Sequence, residues 1–287
     1  MVGVRNTGIL LISCPERKGL VPAIADFLHA HGGDILELDQ HQDGDRGLFL
    51  MRVEWDLKDF DLTPDLLPAE FSPIASRLEM NWRVEYSELP ALVALFVSQE
   101  DHCLVDLLHR WRIGELRCEI MMIVSNHEQA RGLAEFYGVP FYHTPVNSAD
   151  KTQAERMQLD LLEKNHINLV VLARYMQILS KEFVARYPNR IINVHHSFLP
   201  AFIGPRPYQA AYERGVKLIG ATSHYVTEEL DKGPIIEQDV ARVSHRCELA
   251  DLKEKGRDVE RTVLARAVRW HLEHRVLTYG NKTVVFT

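Results

Sequence analysis

Two short stretches hold the residue types that proton transfer and oxyanion stabilisation need. In Asn193-Val194-His195 an amide and an imidazole stand two positions apart. Positions i and i+2 of an extended chain point to the same side, so both side chains can meet one ligand atom, and His196 is expected to face away. In Leu230-Asp231-Lys232-Gly233 a carboxylate lies in a turn-forming sequence. Brought near the imidazole, it would complete an acid–base pair. Both stretches also have a plain reading, because Asn and His can serve as turn residues beside a helix and Asp-x-Gly is an ordinary turn. A third use is a catalytic metal held by His195, His224 and Asp231. Against it, these residues lack the close i, i+4 spacing of helical zinc ligands.

The elements that must position these groups can be read from apolar patterning. Apolar runs at Ala91–Val97, Ile120–Val124, Leu169–Ala173 and Ile191–Val194 are continuous rather than alternating. That pattern marks strands buried on both faces of a parallel sheet. With a helical pattern at Ala149–Lys164 between them, they imply a doubly wound α/β domain. Ligands of such sheets bind beyond the carboxyl ends of the strands. Ser98 to His102, Ser125 to His127, Arg174 to Met176 and Asn193 to Ser197 follow the four runs, so polar groups converge on one edge. Pro200, Pro205 and Pro207 should keep the next segment irregular. Leu218–Val226 and Pro234–Val243 read as a later strand pair, and Glu248–His274 as a long charged helix whose His271 and His274 are solvated.

The first third has a different rhythm. A strand at Gly8–Ser13 leads into a helix with apolar Leu20, Ile24, Phe27 and Leu28 at helical spacing, ended by Gly32-Gly33. Strands at Asp34–His41 and Gly47–Trp55 flank a turn at Asp43-Gly44-Asp45; a proline-interrupted helix at Pro64–Met80 and a strand at Trp82–Tyr86 follow. The order βαββαβ is a ferredoxin-like unit. The expected division is therefore residues 1–86 and residues 87–287.

Composition removes several classes of function. The 287 residues are 46% hydrophobic and 25% charged with net charge −7, which disfavours nucleic acid or an anionic membrane as partner. The four cysteines are scattered with no C-x-x-C pair, so a zinc ribbon or disulfide framework is not expected, and a cytoplasmic, reduced protein is. No stretch approaches the roughly 20 apolar residues of a membrane span.

Asn193 to Pro200 (NVHHSFLP), followed by Leu230-Asp231-Lys232-Gly233-Pro234, resembles the formyltransferase family that uses 10-formyltetrahydrofolate: Asn-x-His, then Ser-x-Leu-Pro, then a distant Asp. Ala201-Phe202-Ile203-Gly204 and Ile219 to Tyr225 resemble it too. The first 86 residues resemble an ACT domain, and that domain order is the one found in formyltetrahydrofolate deformylases. The resemblance implies hydrolysis of 10-formyltetrahydrofolate in one-carbon and purine metabolism, with Asn193, His195 and Asp231 as the catalytic set. It implies a folate pocket at Arg174, Tyr175, Met176, Gln177, Ile178 and Leu179, with no cofactor beyond the folate. It further implies a homo-oligomer with an amino-acid effector, methionine or glycine, near Arg17–Val21 and Gly32–Ile35. One departure separates the chain from the related glycinamide ribonucleotide transformylases. Where those carry a glycine-rich phosphate loop, Ser98 to Cys103 has no glycine and two carboxylates, which disfavours a phosphorylated acceptor and leaves water. Transfer to a small amine, and a non-catalytic folate or amino-acid sensor, are the alternatives.

Overall fold

The computed structural model describes residues 5–146, 151–201, 204 and 206–287. The chain forms two compact units. One comprises residues up to Pro90 together with His274–Leu277 and Val284–Thr287; the other comprises Ala91–Glu273 and Thr278–Thr283.

In the first unit the chain runs β1 (Thr7–Pro15), α1 (Leu20–Ala30), β2 (Asp34–Asp43), β3 (Leu48–Asp56), α2 (Leu67–Arg77), β4 (Asn81–Tyr86). The strands pair antiparallel in the order β2-β3-β1-β4, the ferredoxin-like arrangement. Strand alternation divides the side chains between two faces. Leu10, Ile12, Phe49, Met51, Val53 and Trp55 pack under Ile24, Leu28 and Phe71 of the helices. The other face carries Ile9, Leu11 and Leu50, also buried, and Arg52, only 2% exposed. Arg52 reaches Glu37 at 2.6 Å, Glu54 at 2.7 Å and the carbonyl of His274 at 3.2 Å, and Arg275 pairs with Glu37 at 3.0 Å. The first unit thus includes chain from the far end of the sequence. The expected boundary at residue 86 leaves these later residues outside the unit that they join.

His274 is accordingly not a solvated helix residue. It follows the last helix in a left-handed conformation, φ 52, and burial with Arg83 and Arg52 nearby pushes its imidazole down to about 4. Between that value and the ordinary histidine value the unfolded chain binds a proton that the folded unit refuses. Stability is therefore full above about pH 6.5 and falls as the pH drops toward 4, by about 3 kcal/mol from this group. Denaturant unfolding at pH 7 and pH 4.5 checks this: the loss is expected to shrink in His274→Asn, which tolerates the same backbone.

The second unit is built on a seven-stranded sheet. Its strands are β5 (Ala91–Val97), β6 (Cys118–Ser125), β7 (Phe141–His143), β8 (Leu169–Leu172), β9 (Ile191–His195), β10 (Leu218–Tyr225) and β11 (Ile235–Arg242), ordered β11-β10-β9-β8-β5-β6-β7. β5 to β9 pair parallel, and β10 and β11 are antiparallel. Helices α3 (His102–Arg112), α4 (Arg131–Tyr137), α5 (Lys151–Lys164), α6 (Lys181–Arg186), α7 (Pro207–Arg214) and α8 (Leu249–Leu272) cover it. The expected start of α5 at Ala149 lies outside the described residues. Pro207 opens α7 rather than prolonging the loop, as proline at a first helical position allows. The helix α8 is not a charged cover alone, since Leu252, Val263, Leu264 and Val268 are buried and so is Glu260. His271 on it is hydrogen-bonded to the Tyr225 hydroxyl at 2.7 Å rather than solvated. The chain runs from β5 outward to β7 and then crosses to β8, so the strand order reverses between β5 and β8. Their carboxyl ends mark the place where ligands bind in such sheets.

Candidate active site

Asn193 and His195 lie on β9 directly across from β10, Asn193 opposite His224 and His195 opposite Thr222. This register explains how a histidine of another strand reaches the pair. Asn193 Nδ2 is 3.3 Å from His224 Nε2, and His224 Nδ1 is 2.9 Å from the carbonyl oxygen of Tyr225. Asp231 comes from the turn joining β10 to β11, in a left-handed conformation, φ 55. One of its carboxylate oxygens is 3.4 Å from His195 Nδ1 and the other 3.8 Å from His224 Nε2. The turn lies tight against the sheet at Gly233, where an added Cβ would fall 1.7 Å from the Tyr225 carbonyl oxygen.

Charge follows this geometry. Burial alone would raise the Asp231 carboxyl, but the hydrogen bond and charge of His195, with His224 and His196 near, hold it below its ordinary value. Burial lowers His224 despite its backbone hydrogen bond and Asp231. A neutral His224 then donates from Nδ1 to Tyr225 and accepts from the Asn193 amide at Nε2, which fixes which way that amide points. His195 has Nδ1 on the acid, while Nε2 is buried with no hydrogen-bond partner. A buried donor or acceptor left open is costly unless a ligand completes it.

These side chains line one end of a cavity of about 370 Å³. Its other walls are Met176, Ile178 and Leu179 from the loop after β8, and Val226 and Leu230 before Asp231. Met176, Ile178 and Leu230 are more than half exposed, an unusual concentration of large apolar side chains facing open space and the composition of a ligand pocket. All six residues expected in the folate loop line it. Tyr175 does so while its ring packs against Phe96 and its hydroxyl accepts from Gln158.

His196 corrects the alternation argument. It lines the same cavity, its ring tilted between those of His195 and Tyr208, with centroids 5.2 Å and 5.9 Å away. The strand ends at His195, so the two-residue repeat no longer governs the next position. Burial and the nearby Arg174 push its imidazole down to about 4. His195, His224 and Asp231 do converge, as a shared metal would require, but through contacts with one another. Among the described residues the set with metal-ligand proximity is a different one, His102, Cys103 and Glu260. There Tyr208, His102 and Arg174 already engage the Glu260 carboxylate, and the guanidinium opposes a second cation.

The family model for formyl transferases matches residues 91–268. A formyltetrahydrofolate deformylase of Synechocystis is 54% identical over 98% of each chain. The crystal structure of a formyltetrahydrofolate deformylase from Pseudomonas syringae superposes with a TM-score of 0.97 at 48% identity, covering 100% of this chain and 96% of that one. The chain belongs to the formyltetrahydrofolate deformylase family. A glycinamide ribonucleotide transformylase from Symbiobacterium toebii is 29% identical with a TM-score of 0.65, covering 69% of this chain and 95% of that one. That transferase thus corresponds to about two thirds of this chain, while the formyl transferase model begins at residue 91. The expected hydrolase reading and the α/β fold are borne out.

Proposed function

We propose that this protein hydrolyses 10-formyltetrahydrofolate to tetrahydrofolate and formate. The observation that carries the reading is the Asp231–His195–Asn193 set at the end of an apolar cavity in a chain of the deformylase family. The apolar walls take the pterin, with backbone groups near Gln177 on its ring edge. Water adds to the formyl carbon and builds a tetrahedral oxyanion. Asn193 Nδ2 and a protonated His195 Nε2 stabilise that charge, as preorganised donors do. Asp231 orients the imidazole and positions the water. The Asp231 carboxylate takes the proton that the water loses; when the carbon–nitrogen bond breaks, His195 gives its Nε2 proton to the leaving nitrogen, the proton on Asp231 restores the imidazolium, and the formic acid departs as formate and a proton. His224 acts through Asn193 and Asp231 and is a positioning residue.

No cofactor beyond the folate enters this scheme. The four cysteines are free, and no helix among the described residues is long and apolar enough to cross a membrane; a cytoplasmic location suits both. We assign residues 1–86 to sensing and assembly as an ACT-like unit, with methionine or glycine near Arg17–Val21 and Gly32–Ile35. Incubating the pure protein with 10-formyltetrahydrofolate in buffer alone is expected to release formate and tetrahydrofolate in equal amounts, unchanged by a chelator or by glycinamide ribonucleotide. Formyl groups recovered on that ribonucleotide would assign the chain to the transferases instead.

A further inference from the structure

Behind His196 lies a closed ring of five ionisable groups drawn from four separate segments. Glu260 of α8 is 1% exposed. Its carboxylate takes His102 Nε2 at 2.8 Å, the Tyr208 hydroxyl at 2.5 Å and Arg174 Nε at 3.4 Å. Arg174 Nη2 donates to Glu100 at 3.1 Å, and Glu100 approaches His102 Nδ1 at 3.9 Å. Tyr208 reaches Glu260 only because residue 256 is glycine: a Cβ there would fall 2.1 Å from its hydroxyl.

Stability does not account for this ring. Burying charges costs several kcal/mol each, and apolar replacement of a whole buried ion cluster is often neutral or stabilising. Arg174 also holds a left-handed backbone, φ 64, which side chains other than glycine seldom adopt without compensation. It is 8% exposed, lines the catalytic cavity, and, with Nε in ion-pair reach of Glu260 and Nη2 on Glu100, has Nη1 buried without a hydrogen-bond partner. Strain and open donors concentrated at one wall beside the reacting centre point to a task there. The fold itself does not choose the acceptor, because a glycinamide ribonucleotide transformylase shares it. The choice must lie in what stands beside Asn193, His195 and Asp231.

We propose that the Arg174–Glu260 cluster is the acceptor-side wall of the site, which leaves room for water and shuts out amines. This rests on the hydrolytic reading above and names what enforces it. The side chain of Arg174 fills space, and its open N–H groups hold water by hydrogen bonds that an amine carrying a substituent cannot replace. Glu260, His102, Tyr208 and Glu100 keep the guanidinium in place, so they are positioning residues.

The test incubates full-length protein and 10-formyltetrahydrofolate with hydroxylamine or glycinamide, and measures formate, formylated amine and tetrahydrofolate. In transfer, the amine nitrogen bonds the formyl carbon as the folate carbon–nitrogen bond breaks, and the proton the amine loses ends on the folate nitrogen. Wild type is expected to give formate equal to tetrahydrofolate with either amine. Arg174→Gly, which suits the backbone and empties the wall, is expected to raise the formylamine-to-formate ratio at least about tenfold. Gly256→Ala, which pushes Tyr208 off Glu260, is expected to raise it in the same direction and by less. A folded Arg174→Gly that still yields only formate overturns the proposal. If Arg174→Gly does not fold or turn over, an unchanged ratio in Gly256→Ala overturns it. Wild type that itself formylates glycinamide overturns it with neither variant. Wild type that releases no formate in buffer alone contradicts the hydrolytic reading instead.

Discussion

Replacing His195 by alanine is expected to lower turnover of 10-formyltetrahydrofolate by about a hundredfold or more, with folate affinity changed far less. The division follows from where the binding surface is. Met176, Ile178, Leu179, Val226 and Leu230 make the apolar walls, and none of them needs the imidazole. The reaction does need it: Nε2 is the one ring nitrogen left open, since Nδ1 faces Asp231 at 3.4 Å. Asp231→Asn and Asn193→Ala are expected to give losses of the same order. Asp231→Asn keeps the shape and removes the charge, so its loss isolates the electrostatic part. Because the three act as a unit, the double variant His195→Ala/Asp231→Asn is expected to lose little more than either alone. With its carboxyl held below the ordinary value, Asp231 is ionised throughout the neutral range and contributes no change in rate there. Steady-state turnover and a separate folate-binding titration check all of this, and near-normal turnover in His195→Ala would remove the mechanism.

The pair Asn193–His195 was legible because strand periodicity alone puts two residues on one side. Its partner Asp231 was legible only as a candidate, since Asp-x-Gly is a common turn and nothing local tells which turn touches which strand. His224 entered the sequence reading only as a metal ligand. Its actual place, across from Asn193, depends on the β9–β10 register, a long-range fact that no window of sequence contains. The Glu260 cluster was hidden more deeply. Its helix reads as a solvated face, because charged residues dominate it and a single buried carboxylate among them carries no local mark. The ferredoxin-like order of the first unit could be read from alternation and turn residues. That its open face is covered by residues beyond position 273 could not, because those residues join it only through tertiary packing. His196 failed for the opposite reason: a local rule was extended one residue past the element that justified it.

Gly233→Ala is expected to cost nearly as much activity as losing a catalytic group, although the glycine touches no substrate. Its backbone is not in the left-handed region, so conformation is not the obstacle. Space is: the new Cβ would lie 1.7 Å from the Tyr225 carbonyl oxygen and 2.9 Å from its carbon. Both are backbone atoms of β10, the strand paired to β9, and neither can give way without disturbing the strand that presents Asn193 and His195. The turn must therefore move, losing the hydrogen bond from the Tyr225 amide to the Pro234 carbonyl, 2.9 Å. Asp231, two residues earlier, moves with it. A misplacement of about 1 Å is worth roughly a hundredfold in rate, and forcing bulk into such a contact costs about 1–3 kcal/mol of stability. Gly44→Ala is the control, because a Cβ there meets nothing within 4 Å; it is expected to change neither turnover nor Tm. Measured well below the Tm of Gly233→Ala, a deep loss of turnover with retained folate binding would place the damage in the Asp231–His195 contact. Wild-type turnover in that variant would show instead that the carboxylate works from more than one position, and that the tight turn serves the sheet rather than the reaction.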